Sequence, residues 1–95
     1  MNKILNNLGL CFKAGKLIHG TDSVILGIQT KKVKLIFLAN DASENTKKKI
    51  KDKANYYSVE VNEEYTSSEL SGAIGKNGRM VLGIADENFL KILKK

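Results

Sequence analysis

The 95-residue sequence predicts an α/β fold, a three-layer α/β/α sandwich on a sheet of about four strands. Two largely apolar runs, residues 33–39 (VKLIFLA) and 79–85 (RMVLGIA), have strand length and read as strands buried on both faces. Amphipathic helical windows stand before and after each run, the alternation that covers a sheet with helices on both sides. Pro is absent, and no repeat, Ser/Gly tract or shift in composition marks a linker. One domain spanning residues 1–95 is therefore expected.

Each element has a local reason. Residues 2–14 place Ile4, Leu5, Leu8, Cys11 and Phe12 within about a third of a helical wheel, which makes an amphipathic helix. Gly15 stops it, and residues 16–19 (KLIH) follow as a short strand. Gly20, Thr21 and Asp22 offer an N-cap for a second helix running to about Thr30. After the central strand at 33–39, Asp41 with Glu44 fits a capping box and opens a Lys-rich helix to about Tyr56. In that helix Ile50, Ala54 and Tyr57 recur on the core side, while Lys48 points away with Glu44 and Asp52 at ion-pair spacing. Residues 58–61 make another short strand. Thr66 and Glu69 repeat the capping-box spacing for a helix that ends at Ile74, with Gly75 beyond it. Residues 79–85 are the last strand. Asp86 caps a final helix whose inner face draws on Phe89, Leu90, Ile92 and Leu93.

Sixteen Lys and Arg against ten Asp and Glu give a formal charge of +6, a balance that favours a polyanionic partner. The densest run, Lys47, Lys48, Lys49, Lys51 and Lys53, is explained by a solvated helix face without any ligand. More informative are Lys13 and Lys16 after the first helix, Lys31, Lys32 and Lys34 at a helix-to-strand connection, and Lys76 and Arg79 before the last strand. Loop lysines beside backbone amides suit phosphate contact. No apolar run approaches a membrane span, and the opening Met1-Asn2-Lys3 leads into no signal-peptide core. A single cysteine forms no internal disulfide. The expectation is a soluble protein of the reducing cytoplasm, with no membrane partner.

Catalytic chemistry finds little support. His19 and Cys11 are the only residues of their kinds, so neither a nucleophile–base pair nor a metal site has its ligands. No paired-carboxylate spacing stands out. Gly72, Gly75 and Gly78 superficially suggest a phosphate loop, but they leave a helix and enter a strand, the reverse of a nucleotide-binding turn. They read as a helix C-cap followed by an Asn77-Gly78 turn. Phe12, Phe37 and Phe89 sit in apolar contexts, so base stacking on an aromatic sheet face is not expected. No enzyme activity, cofactor or metal is expected.

Three segments carry a resemblance. Leu8-Gly9-Leu10-Cys11-Phe12-Lys13-Ala14-Gly15-Lys16-Leu17, followed by Gly20, resembles the opening of YlxQ-type bacterial proteins, a branch of the ribosomal-protein superfamily that binds kink-turn RNA. Residues 35–43 (LIFLANDAS) resemble that family's central strand and acidic turn, and residues 69–76 (ELSGAIGK) are similar to its E-L-G-x-A-I-G-K segment. The resemblance covers nearly the whole chain and implies the sandwich already reached. It also implies RNA binding through two loops. One is the N-terminus of the second helix, here Gly20, Thr21, Asp22 and Ser23. The other is the apolar loop after the fourth helix, here Ala73, Ile74 and Gly75 with Lys76 beside them.

Kink-turn binders of this superfamily carry G-x-N-E-x-x-K, whose Asn, Glu and Lys read guanines in tandem G·A pairs. This chain has Asp22, Ser23 and Leu26 at those positions. An ionised Asp only accepts hydrogen bonds, and Leu26 carries no charge. Base-specific contacts worth about 1–3 kcal/mol each are therefore in question, whereas backbone and shape recognition remain. The leading expectation is a non-enzymatic protein that binds structured RNA, kink-turn-like or ribosomal, as part of the ribosome or associated with it. Its contact residues are Lys13, Lys16, Gly20, Thr21, Asp22, Ser23, Lys31, Ala73, Ile74, Gly75 and Lys76, and no DNA partner is expected. The first alternative is a protein-interaction module that kept the fold but lost RNA binding, motivated by Leu26. A nucleotide-dependent enzyme, suggested only by the architecture and the glycines near residue 75, is the second.

Overall fold

A computed structural model describes residues 3–93, in the order α1 (Lys3–Lys13), β1 (Leu17–His19), α2 (Thr21–Gln29), β2 (Leu35–Leu38), α3 (Glu44–Tyr56), β3 (Glu60–Asn62), α4 (Ser67–Ile74), β4 (Val81–Ile84) and α5 (Glu87–Leu93). Asn2, assigned to the first helix by periodicity, lies outside the described residues. The four strands form one mixed sheet in the order β1-β4-β2-β3. β4 is antiparallel to both β1 and β2, and β3 runs parallel to β2. Helices α1, α4 and α5 pack together on one side, and α2 packs with α3 on the other. The expected α/β/α sandwich is the observed fold.

Burial explains why the two apolar runs became the inner strands. Every residue of β2 and β4 is buried, because both faces are covered by helices. Phe37, Leu38, Leu82 and Ile84 are fully enclosed with Leu8, Val24, Ile28, Ile50 and Leu70 from the helices. Gly83 leaves room for Val33, whose Cγ2 would lie 2.9 Å from a Cβ at that position. The edge strands are three residues long and only partly buried, which limits their exposure to further pairing.

Several local expectations are corrected. Asp41 and Glu44 do not form a capping box; Ser43 caps α3, its hydroxyl accepting from the Thr46 N–H at 3.2 Å. Asp41 instead reaches across the chain, accepting from the Ser67 N–H at 2.8 Å and the Ser67 hydroxyl at 3.0 Å. Those bonds hold its carboxyl below the usual carboxylate range, at the positive N-terminal end of α4. Among the described residues the ion pair of α3 joins Lys51 to Glu63 at 2.9 Å, rather than Lys48 to Glu44 or Asp52. β3 begins at Glu60 instead of residue 58. Ser58 takes a left-handed backbone (φ 58°), and the Val59 N–H is still bonded to the Ala54 carbonyl of α3. Ile92 is 47% exposed, so the inner face of α5 is carried by Phe89, Leu90 and Leu93. The capping box of α4 is present as expected, with Thr66 and Glu69 each accepting from the other's backbone N–H.

The α1–α4 contact depends on a missing side chain. A Cβ at Gly9 would stand 2.7 Å from the Ala73 carbonyl oxygen, so the two backbones approach closely only because Gly9 has none. Gly72, in the interior of α4, faces open space. The two glycines should respond oppositely to alanine. Gly9→Ala should lower stability by about 1–3 kcal/mol through overpacking, outweighing its gain in helix propensity. Gly72→Ala should raise stability by about 0.5–1 kcal/mol. Thermal or urea unfolding checks both signs, and a stabilised Gly9→Ala would contradict the packing described.

Candidate nucleic-acid interface

Sheet pairing builds the candidate site. β1 lies antiparallel to β4, so His19 at its end sits opposite Leu82, near the start of β4. The Gly20 N–H then donates to the Val81 carbonyl at 3.1 Å, and the chain turns directly into α2. Gly20 occupies the N-cap position with φ 94°, a backbone that L side chains rarely adopt. Among the described residues no side chain caps this end, so neither Thr21 nor Asp22 fills the role expected of them. The first-turn amides of α2 consequently have no side-chain acceptor, and they carry the partial positive charge of a helix N-terminus. Asp22 and Ser23 are exposed on that first turn, and Leu26 is 61% exposed one turn further along.

The α4–β4 connection arrives at the same end of the sheet. Gly75 closes α4 in a left-handed conformation (φ 70°), and the Lys76 N–H returns to the Ser71 carbonyl at 3.0 Å. Ser71 is the buried anchor of this connection: its hydroxyl accepts from the Arg79 N–H at 2.7 Å and donates to the Arg79 carbonyl at 3.1 Å. Ile74 is buried beneath the turn, Ala73 is half-buried, and Gly75 and Lys76 are exposed. Lys13 lines the groove between α1 and α4, whose other wall includes Ala73, Ile74 and Gly75.

A cationic and aromatic corner joins the two loops. The Lys76 ammonium lies 5.7 Å from the centre of the Phe12 ring, and Phe12 meets the His19 ring edge-to-face with centres 5.5 Å apart. Burial lowers the pKa of His19, and the nearby charges of Arg79 and Lys76 lower it further. His19 Nδ1 and Arg79 Nε are both buried without a hydrogen-bond partner. The charges of Lys76 and Arg79 nevertheless make this corner cationic. His19 and Arg79 were not among the site residues expected from sequence. A lone His at a strand end carries no signal until pairing brings it to the same corner as Lys76.

Two expected residues stand elsewhere. The Lys16 carbonyl accepts from the Ala85 N–H at 2.9 Å, which places Lys16 at the opposite end of the β1–β4 pair. Lys31 follows the C-terminus of α2, about 15 Å along the helix from Gly20 at 1.5 Å per residue. The structure therefore brings together Lys13, Gly20, Thr21, Asp22, Ser23, Ala73, Ile74, Gly75 and Lys76, and leaves Lys16 and Lys31 apart from them.

Little else is arranged for chemistry. Cys11 is fully buried, and its thiol is pushed up to about 11 by burial and by the charge of Asp86. Among the described residues no group of three His, Cys, Asp or Glu side chains converges to hold a metal ion, and no helix is long and apolar enough to cross a membrane.

Comparison with known proteins agrees with this architecture. Residues 2–94 match the ribosomal protein L7Ae/L30e/S12e/Gadd45 family. The chain is 48% identical over 93 residues to the RNA-binding protein YlxQ of Enterococcus faecium, covering 98% of this chain and 89% of that protein. It is 42% identical over 82 residues to the RNA-binding protein YlxQ of Bacillus subtilis, covering 86% and 82%. A solved protein of unknown function from Bacillus halodurans superposes with a TM-score of 0.94 at 36% identity, over 99% of this chain and 95% of that one. The 15.5 kDa RNA-binding protein of Giardia lamblia shares the fold with a TM-score of 0.80 at 14% identity, over 95% and 80%. With a match across nearly its whole length and relatives above 40% identity, this chain belongs to the ribosomal protein L7Ae/L30e/S12e/Gadd45 family, in its bacterial YlxQ-type branch.

Proposed function

We propose that this protein is a non-enzymatic binder of structured RNA, kink-turn-like or ribosomal, acting in the ribosome or in association with it. The contact surface is the N-terminus of α2 together with the loop after α4. The observation that carries this reading is their meeting at one end of the sheet, with uncapped helix amides on one side and Lys76 above the Phe12–His19 corner on the other. Bacterial relatives named RNA-binding proteins support it. Helix amides and Lys76 would hold backbone phosphates, while Ala73, Ile74 and Gly75 offer an apolar cover for a base. Asp22, Ser23 and Leu26 are exposed where the G-x-N-E-x-x-K pattern places its base readers, so shape and backbone dominate recognition.

Charge-reversal variants test the location. Lys76→Glu, Lys16→Glu and Lys31→Glu change net charge equally, so any difference among them reports position. Lys76→Glu should weaken binding to a kink-turn RNA or a ribosomal RNA fragment by about tenfold or more, the scale of a lost charged hydrogen bond. Lys16→Glu and Lys31→Glu should cost far less. Equal losses from all three would mean that only the overall +6 matters, and no binding at low salt would end the RNA reading.

His19 supplies a pH dependence. Its lowered pKa keeps the imidazole neutral near pH 7 in the free protein, and a phosphate at the corner would raise that pKa. Binding then takes up a proton, so affinity should rise as pH falls from 8 to 6. Stability of the free protein has the opposite sign. The His19 contribution is complete above the unfolded value near 6.5 and declines as pH falls through the folded pKa. Titrating binding and unfolding for wild type and His19→Asn should show both slopes flattened in the variant; a pH-independent affinity would remove His19 from the site.

A second reading, a protein-interaction module, draws on Leu26, 61% exposed where the kink-turn pattern has Lys. Under that reading Leu26→Lys should release a protein partner retained after nuclease treatment. Under the RNA reading it should tighten kink-turn binding. Pull-down and RNA titration of the same variant separate the two.

A further inference from the structure

A second surface lies outside both loops. α2 and α3 enclose a groove lined by Ile25, Lys49, Asp52, Lys53, Tyr56 and Tyr57. Tyr56 is 79% exposed, the highest value among the exposed large hydrophobic residues described. Its ring meets Tyr57 edge-to-face, with centres 4.9 Å apart and planes at 77°. Tyr57 is half-buried and packs against the core. Lys49 and Lys53 stand one helical turn apart along the groove, and neither is taken up by the Lys51–Glu63 ion pair. A solvated helix face explains the lysines alone. It does not explain an exposed aromatic ring one turn beyond Lys53 on the same groove.

We propose that this groove is a second RNA subsite, which takes an unpaired nucleotide adjoining the structured element. The inference rests on the RNA reading above. The base stacks on Tyr56, Lys49 and Lys53 meet the neighbouring phosphates, and Asp52 offers an acceptor to a base N–H. Charge selects this occupant: two lysines against one Asp leave the groove cationic, and Ile25 is its one aliphatic residue, too little for the apolar face of a docking helix. α2 borders both surfaces, supplying its N-terminal turn to the first and Ile25 to this one. The surface also gives α3 a part in RNA binding that its charge alone does not require.

The test uses full-length protein and three fluorescent RNAs: a blunt kink-turn hairpin, the same hairpin with a short uridine tail on either strand end, and the oligouridine alone. The tail should tighten binding by wild type. Tyr56→Ala should abolish that gain, a loss of about 5- to 150-fold for one base–aromatic stack, with the blunt hairpin unaffected. Tyr56→Phe should retain it, and Lys49→Ala and Lys53→Ala should each reduce the salt slope for the tailed RNA by about 0.7. A tail without effect, or a gain that survives Tyr56→Ala, overturns the proposal. If the blunt hairpin is not bound, the kink-turn reading fails on its own and the oligouridine decides the groove. Oligouridine binding lost in Tyr56→Ala upholds the groove; absent or unchanged binding overturns it. A Tyr56→Ala variant that binds every RNA normally but loses a nuclease-resistant protein partner assigns the face to protein instead.

Discussion

The double pairing of β4 is the constraint on which the rest of the structure depends. This strand is buried on both faces and bonded along both edges, so its position is fixed by packing and hydrogen bonding together. Each loop of the candidate interface hangs from it. Gly20 is tied to Val81, and Arg79, just before the strand, is held by the buried hydroxyl of Ser71. A rigid strand between them makes the separation of two otherwise independent loops a property of the core. Site precision of this kind is expected when flexible connections are anchored on regular elements.

The same pairing concentrates charge that the composition spreads thinly. Lys76, Arg79 and His19 come from two segments about sixty residues apart in sequence, and burial, with the two nearby cations adding to it, disfavours protonation of His19. By contrast, the dense lysine run of α3 lies along an open helix face, where Glu63 pairs with Lys51. Net charge says little about where a polyanion would sit; the placement of a few cations beside uncapped amides says far more.

Most of the fold was legible because its causes are local. Helical periodicity in α1, the apolar runs of β2 and β4, the Thr66–Glu69 box and the Gly75 cap each act within about one or two turns of chain. The errors share a cause as well. Asp41 has the composition of a local cap but binds Ser67, 26 residues away, and Ser43 takes the cap that it leaves. Ser58 and Val59 remain in the helix exit, so an apolar alternation that favours strand is overruled for two residues. Ile92 has the right residue type for a core position, yet the orientation of α5 turns it outward.

By itself, the sequence determined the sandwich, the order of its elements and the two loops that the family resemblance singles out. Periodicity, capping and runs of buried length are properties of neighbouring residues, and they survive without knowledge of the partners. Only the tertiary structure decided which cations share a surface. Strand pairing brought His19 and Arg79 to Lys76 and set Lys16 and Lys31 at other ends of their elements. It also left Tyr56 standing over a groove that no spacing in the chain would reveal. Proximity across a sheet depends on register and on the direction of each strand, and neither is written in the residues next to the ones that meet.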